Sequence, residues 1–177
     1  MTQLQTFDDT QKLIQKYGTR DPFELIDALP NTKLWSARSL DADGLRGFAT
    51  IVNHRVRYIA VNPHLPYEEQ RVIAGHELGH IFEHSNHLRC QAMQDFDIYQ
   101  ATGRLEREAN FFAADLLLDD EEVLDLIHSG NTDFFSVAKE LRIPAPFFAF
   151  KMYSLIRRGE HLQLPVDIDN RFLRAKH

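Results

Sequence analysis

"RVIAGHELGHIFEH", residues Arg71 to His84, sets His76 and His80 four positions apart with Glu77 beside the first. In an α-helix this spacing puts the two histidines about 40° apart around the axis and about 6 Å apart along it. Their imidazoles can converge on one ion. Glu77 falls about 100° from His76 and about 60° from His80. That flanking position suits a general base acting on a metal-bound water. In a chain of 177 residues with 9 histidines, chance alone yields about 0.03 copies of H-E-x-x-H. Gly79 inside the helix costs about 1 kcal/mol relative to Ala, which makes sense if something must approach closely beside the histidines. The plainer alternative is an amphipathic helix with two partly buried histidines. A third ligand separates the two readings, because catalytic zinc keeps three protein ligands and one open position.

Three sources of that ligand are available. The metzincin continuation needs a glycine and a histidine where this chain has Glu83 and Asn86, so it fails. His84 extends the histidine stripe by one turn but lies about 12 Å from His76 along the axis, too far to share the ion. It reads as a helix-end histidine. His87 could reach only through a tight loop. The remaining source is a carboxylate on a later helix, and "LEREANFFAADLLL", Leu105 to Leu118, offers Glu106 and Glu108. Glu106, Ala109, Asn110 and Ala113 share one face by i, i+3, i+4, i+7 spacing. Small residues there would let the helix come close to another. Asn110 could hydrogen-bond a ligand histidine from behind.

The framework around these motifs is that of an ordinary globular domain. A hydrophobic content of 44% and a charged content of 26% are typical of soluble chains. A chain this long buries enough surface to fold without staples. Cys90 is the single cysteine, so an internal disulfide is impossible, which suits a reducing compartment. The N-terminus lacks the basic start and apolar run of a signal peptide. No apolar stretch approaches the roughly 18 residues that span a bilayer. These features predict a cytoplasmic protein without a membrane partner. The net charge of −6 argues against a protein built to grip phosphates.

Helical spacing covers the N-terminal stretch to about Leu29, with Asp21-Pro22 as cap and first turn of a second helix. Residues 34–62 look like strands, and "FATIVNHRVRYIAV" reads as a hairpin turning at Asn53-His54. Pro66 opens the motif helix, with Glu68 and Glu69 in its first turn. Further helices are predicted over about 103–118, 120–128, 132–141 and 144–158.

The combination of HELGH with Glu106-Arg107-Glu108-Ala109-Asn110-Phe111-Phe112-Ala113-Ala114-Asp115-Leu116-Leu117 resembles the ImmA/IrrE family of metallopeptidases. The resemblance covers about residues 10–125 and includes the N-terminal helices and the strands before the motif helix. It departs where the family often continues L-L-M-P and this chain has Leu118-Asp119-Asp120. That change alters the end of a helix and spares the ligands.

The resemblance implies a cytoplasmic zinc endopeptidase that cleaves a separately encoded helix-turn-helix transcriptional repressor by attack of a zinc-bound water. It implies an α+β, zincin-like fold, mainly helical, with a small antiparallel sheet packed on the motif helix. An edge strand of the 48–61 hairpin could then pair with an extended peptide. Residues 1–130 would form the metallopeptidase domain and 131–177 a helical pair packed on it.

Within this picture Glu106 and Glu108, about 200° apart on their helix, cannot both face one ion. The small and polar neighbours of Glu106 assign it as the third ligand, and one side of the face around Glu108 should be solvated. The expected site is His76, His80 and Glu106 around one Zn2+, with Glu77 as base and Asn110 behind a ligand. Glu108 and then His87 remain the alternatives. Two imidazoles and a carboxylate suit zinc better than manganese or cobalt.

A second functional reading comes from "DFFSVAKELRIPAPFFAFKMYSLIRRG", two helical patterns split at Ile143-Pro144. With Lys139, Arg142, Lys151, Arg157 and Arg158 it could be helix-turn-helix-like, making the chain a DNA-binding regulator with a structural metal. Phe147, Phe148 and Phe150 argue more simply for a packed helix pair, so direct nucleic-acid binding is not expected. A third class is a non-catalytic metal-binding interaction protein.

Overall fold

The computed structural model describes residues 3–36, 41, 44–88, 93–95, 103–130 and 133–164. Cys90 and the tail 165–177 of the expected C-terminal unit lie outside them. Two helices come first, α1 (Gln3–Tyr17) and α2 (Pro22–Ala28). Asp21 caps α2 as its sequence predicts, accepting from the backbone N–H groups of Phe23 and Glu24 at 2.8 and 3.1 Å. An aspartate at this position satisfies two amides that the first turn leaves open.

Three strands follow, β1 (Thr32–Ser36), β2 (Gly47–Val52) and β3 (Val56–Val61), with a short β4 (Met93–Asp95) later in the chain. Asn53 and His54 form the hairpin turn, and both adopt positive φ, 51° and 56°. Val52 pairs with Val56, so the connection holds three residues and not the expected two. The sheet order is β1-β3-β2-β4. β2 is antiparallel to both neighbours, but β1 runs parallel to β3, in register from Thr32 opposite Arg57 to Ser36 opposite Val61. The expected antiparallel sheet is therefore mixed. β1 and β3 are separated in sequence by β2, and no local signal in either strand encodes that pairing. The same order narrows the expectation of a free edge on the hairpin to Thr50–Val52 of β2, which no described strand pairs on the outer side. β3 is flanked on both sides, and β2 is covered by β4 over Gly47–Ala49.

Gly47, Ala49 and Ile51 lie on one face of β2, across from Val61, Ile59 and Arg57 on β3. That face meets the motif helix α3 (Tyr67–Glu83). Pro66 is its N-cap, one residue before the position expected. Every residue of α3 from Val72 to Ile81 is buried, so the helix is a core element on all sides rather than an amphipathic surface helix. After a single turn, α4 (Ser85–Leu88), comes α5 (Arg104–Leu117), buried throughout Ala109–Leu117. It packs against α3, α1 and the last helix.

The chain closes with α6 (Asp120–His128), α7 (Phe134–Glu140) and α8 (Ala145–Arg157). Phe147, Phe148 and Phe150 are buried, and Phe150 meets Phe111 of α5 edge-on at 5.5 Å. Each such ring contributes roughly 1.5–3 kcal/mol of burial. Lys151 is fully buried against Asp115 at 3.1 Å and Asp120 at 2.5 Å, and Arg158 pairs with Asp120. Two of the five basic residues of the helix-turn-helix reading are thus committed to carboxylates. Asp119, where the chain departs from the L-L-M-P pattern, caps α6 and binds Arg20 at 2.5 Å. No described helix is long and apolar enough to cross a membrane.

Candidate metal centre

Small residues bring the two motif helices into contact. A Cβ built on Gly79 would stand 2.9 Å from both the Cα and the carbonyl oxygen of Ala109. One turn earlier, a Cβ on Gly75 would stand 3.3 Å from the Ala113 Cβ. The Gly75/Gly79 stripe of α3 therefore lies directly on the Ala109/Ala113 stripe of α5. Gly79 is the close approach that its helix-weakening presence predicts.

That approach carries the first turn of α5 to the histidines. The Nε2 atoms of His76 and His80 are 2.9 Å apart, and Glu106 Oε2 is 3.3 Å from each. Among the described residues these three form a group whose ligating atoms lie within 4.8 Å of one another. Both imidazoles are fully buried, whereas the Glu106 side chain is 24% exposed, so the cluster opens to solvent on the side of the carboxylate. Burial alone would raise the Glu106 carboxyl, but the two imidazoles outweigh it and hold the group well below the usual carboxylate range.

The donor set fits zinc. Bonds of about 2.0–2.1 Å in a tetrahedral shell place neighbouring ligand atoms roughly 3.3 Å apart. Glu106 meets that spacing to both nitrogens, and the histidine pair needs to open by only a few tenths of an ångström. Glu108 does not enter the group. His87 on α4 also stays outside it, its ring centroid 6.5 Å from that of His84.

Behind the triangle each imidazole has a partner on its other nitrogen. Asn110 Oδ1 lies 2.8 Å from His76 Nδ1, where the sequence places it. An amide oxygen there accepts the Nδ1 proton and leaves Nε2 free for an ion. His84 Nδ1 lies 3.1 Å from His80 Nδ1, and His84 Nε2 lies 3.0 Å from Glu108 Oε2. Neither contact is expected from the sequence. There His84 reads only as a helix end, which it is, since His84 caps α3. One side of the Glu108 face is expected to be solvated, yet Glu108 is 13% exposed and faces His84. The i, i+4 relation of His80 and His84 was the available signal. Burial pushes the His84 imidazole below its ordinary range, with Glu108 opposing.

Glu77 is buried beside the cluster, between α3 and the sheet. Gly47 of β2 makes room for it: a Cβ there would lie 2.8 Å from Glu77 Oε1 and 3.0 Å from the Ala60 carbonyl, and would run into Ile73. Nothing local in "RGFATIV" points to this role, because it depends on α3 crossing that end of β2.

The family model for the IrrE N-terminal-like domain, a peptidase family, matches residues 37–153. Among curated proteins, the uncharacterized immunity region protein 2 of Bacillus phage phi105 is 32% identical over 125 residues, 70% of this chain and 73% of that protein. No solved structure gives a significant match.

Proposed function

Since this chain belongs to the peptidase family of the IrrE N-terminal-like domain, we propose that it is a zinc-dependent endopeptidase. His76, His80 and Glu106 hold the ion, and the observation that carries this reading is their buried triangle of ligand atoms, 2.9 to 3.3 Å on a side, with Glu77 alongside. Bound there, zinc supplies Lewis acidity, which brings the ionisation of a water toward neutral pH and polarises a peptide carbonyl. Glu77 takes the proton of the attacking water and returns it to the amine nitrogen that leaves when the C–N bond breaks. Gly47, by lacking a side chain, leaves the Glu77 carboxylate its space beside β2. Asn110 fixes the tautomer of His76.

The substrate we infer is a helix-turn-helix transcriptional repressor encoded separately and met in the cytoplasm. The resemblance of the paired motifs and the phage immunity-region name of the relative support it. The test is direct. Zinc-loaded protein is mixed with candidate helix-turn-helix repressors of the same genome, and products are read by mass spectrometry. A discrete cut, lost with a chelator and in Glu77→Gln, is expected. If the zinc-loaded parent leaves every one of them intact, the substrate assignment is overturned.

A further inference from the structure

We propose that His84 and Glu108 are a positioning pair for the metal centre, acting on His80 as Asn110 acts on His76. The proposal rests on the reading that His76, His80 and Glu106 hold an ion. Neither residue touches that ion. Their effect is on which nitrogen of His80 carries the proton and on how the ring is aimed.

The proton inventory of the row sets its direction. When His80 ligates through Nε2, its proton must sit on Nδ1. His84 Nδ1 lies 3.1 Å from that Nδ1. His84 Nδ1 must then be the bare, accepting nitrogen, so the His84 proton resides on Nε2. That N–H donates to Glu108 Oε2 at 3.0 Å. Both donors of the row His80, His84, Glu108 then meet an acceptor, and with His80 Nε2 kept bare for the ion this is the one arrangement of neutral rings that satisfies both contacts. The row is also protected, because His84 is 3% and Glu108 13% exposed, so water competes poorly for either bond.

The geometry of the two helices builds this row. His80 and His84 follow each other by one turn on α3, and Glu106, Glu108 and Asn110 occupy alternate positions at the start of α5. One short segment of α5 thus delivers the third ligand, the back partner of His76 and the carboxylate behind His84. His76 leans on a neutral amide and His80 on a carboxylate relayed through an imidazole. A carboxylate behind an imidazole raises its basicity as a ligand, so the second support is the stronger.

The experiment measures zinc affinity by competition with a chromophoric chelator, and the visible spectrum of the cobalt-substituted protein, for the full chain. His84→Phe keeps a ring of similar size and removes the acceptor. His84→Asn restores an acceptor near the Nδ1 position. Glu108→Gln keeps an acceptor and removes the charge. Zinc binding should weaken 10- to 100-fold in His84→Phe. It should recover at least in part in His84→Asn, and fall about tenfold or less in Glu108→Gln. Adding Glu108→Gln to His84→Phe should cost nothing more, because the row is already cut. The cobalt spectrum should shift in His84→Phe and return toward the parent in His84→Asn. Parental affinity in His84→Phe overturns the proposal. So does a Glu108→Gln effect that adds fully to that of His84→Phe, since it would act by another route. Should Glu108→Gln abolish binding while Glu106→Gln preserves it, Glu108 is a ligand and the proposal fails. If the parent binds no zinc while folded, it is the underlying metal reading that fails.

Discussion

Gly79 stands so close to Ala109 that any side chain at position 79 would press on the α5 backbone, with a Cβ 2.9 Å from the Ala109 Cα and carbonyl oxygen. The contact sets the distance between the helix that carries His76 and His80 and the helix that carries Glu106. Gly79→Ala gains about 1 kcal/mol in helix propensity. The clash with backbone, which cannot rotate away, outweighs that gain, and a net loss of about 1–3 kcal/mol is expected. Zinc affinity should fall as well, because α5 must move outward. Gly75→Ala is the control: its Cβ would be 3.3 Å from a methyl group, a contact that small shifts relieve. Urea denaturation of the two variants side by side should show Gly79→Ala the weaker. Equal stability would mean that the helix spacing is not fixed at this point.

Glu77→Gln should retain the fold and one bound zinc while cleavage of a cognate repressor is lost. Glutamine fills the space beside Gly47 but cannot accept a proton. Gly47→Ala approaches the same carboxylate from the sheet side and should lower both stability and turnover, because the added methyl meets Ile73 and Glu77. Elemental analysis and a cleavage time course check the pair. Substantial turnover in Glu77→Gln would remove it as the base.

The motif helix and the convergence of His76 and His80 on it were legible because both follow from spacing along one helix, and Asn110 was legible from its place one turn after Glu106. Glu106 was legible because small residues mark the face of α5 that touches another helix. What stayed hidden depends on tertiary crossing. The parallel pairing of β1 with β3, the room that Gly47 gives Glu77, and the meeting of His84 with Glu108 join residues whose local patterns carry no trace of one another. Glu108 is the instructive case. Its place between Arg104 and Phe112 looks like the wet side of a helix end, and only the extension of α3 to His84 turns it inward.

Glu83 gives the protein a stability slope. Burial first, then Asp9 and Glu108, raises its carboxyl from the ordinary 4.5 to about 7. The folded state therefore holds this proton more tightly than the unfolded chain does. The favourable contribution is complete below about 4.5 and is lost as pH rises through about 7. Glu83→Gln should flatten the decline between those values and be more stable than the parent at pH 8. The comparison belongs in chelator, so that zinc does not add its own pH dependence. Parallel stability curves for parent and variant would show that Glu83 does not couple to folding.

Lys151 neutralises Asp115 in the interior between α5 and α8. Burial raises the Asp115 carboxyl, against the pull of Lys151 and Arg158, which shows how much it depends on its partners. Lys151→Met should cost about 3–5 kcal/mol, since it leaves a buried carboxylate behind. Arg158, 3.8 Å from Asp115, should hold the loss near the lower end. A loss below about 1 kcal/mol in a denaturant titration would mean that Asp115 is protonated in the folded protein.

Zinc should raise the melting temperature, and the size of the rise can be apportioned between Glu106 and Glu108. At a free zinc concentration a thousandfold above Kd, binding stabilises by about 4 kcal/mol. In a domain of this size each kcal/mol moves Tm by roughly 2–4 °C, so chelation should lower it by roughly 8–16 °C. Glu106→Gln removes the carboxylate charge 3.3 Å from both Nε2 atoms and should lose most of that increment. Glu108→Gln leaves the triangle intact and weakens only the support behind His80. A tenfold weaker Kd is worth about 1.4 kcal/mol, so the zinc-dependent shift should shrink by about a third and remain plain. The free zinc must be buffered at one value for all three proteins, because the increment follows the ratio of concentration to Kd. A full zinc shift in Glu106→Gln together with none in Glu108→Gln would exchange their roles. Absence of a zinc shift in both, with the parent shift intact, would mean that zinc binding depends equally on both carboxylates of α5, and the ordering of Glu106 before Glu108 would be wrong.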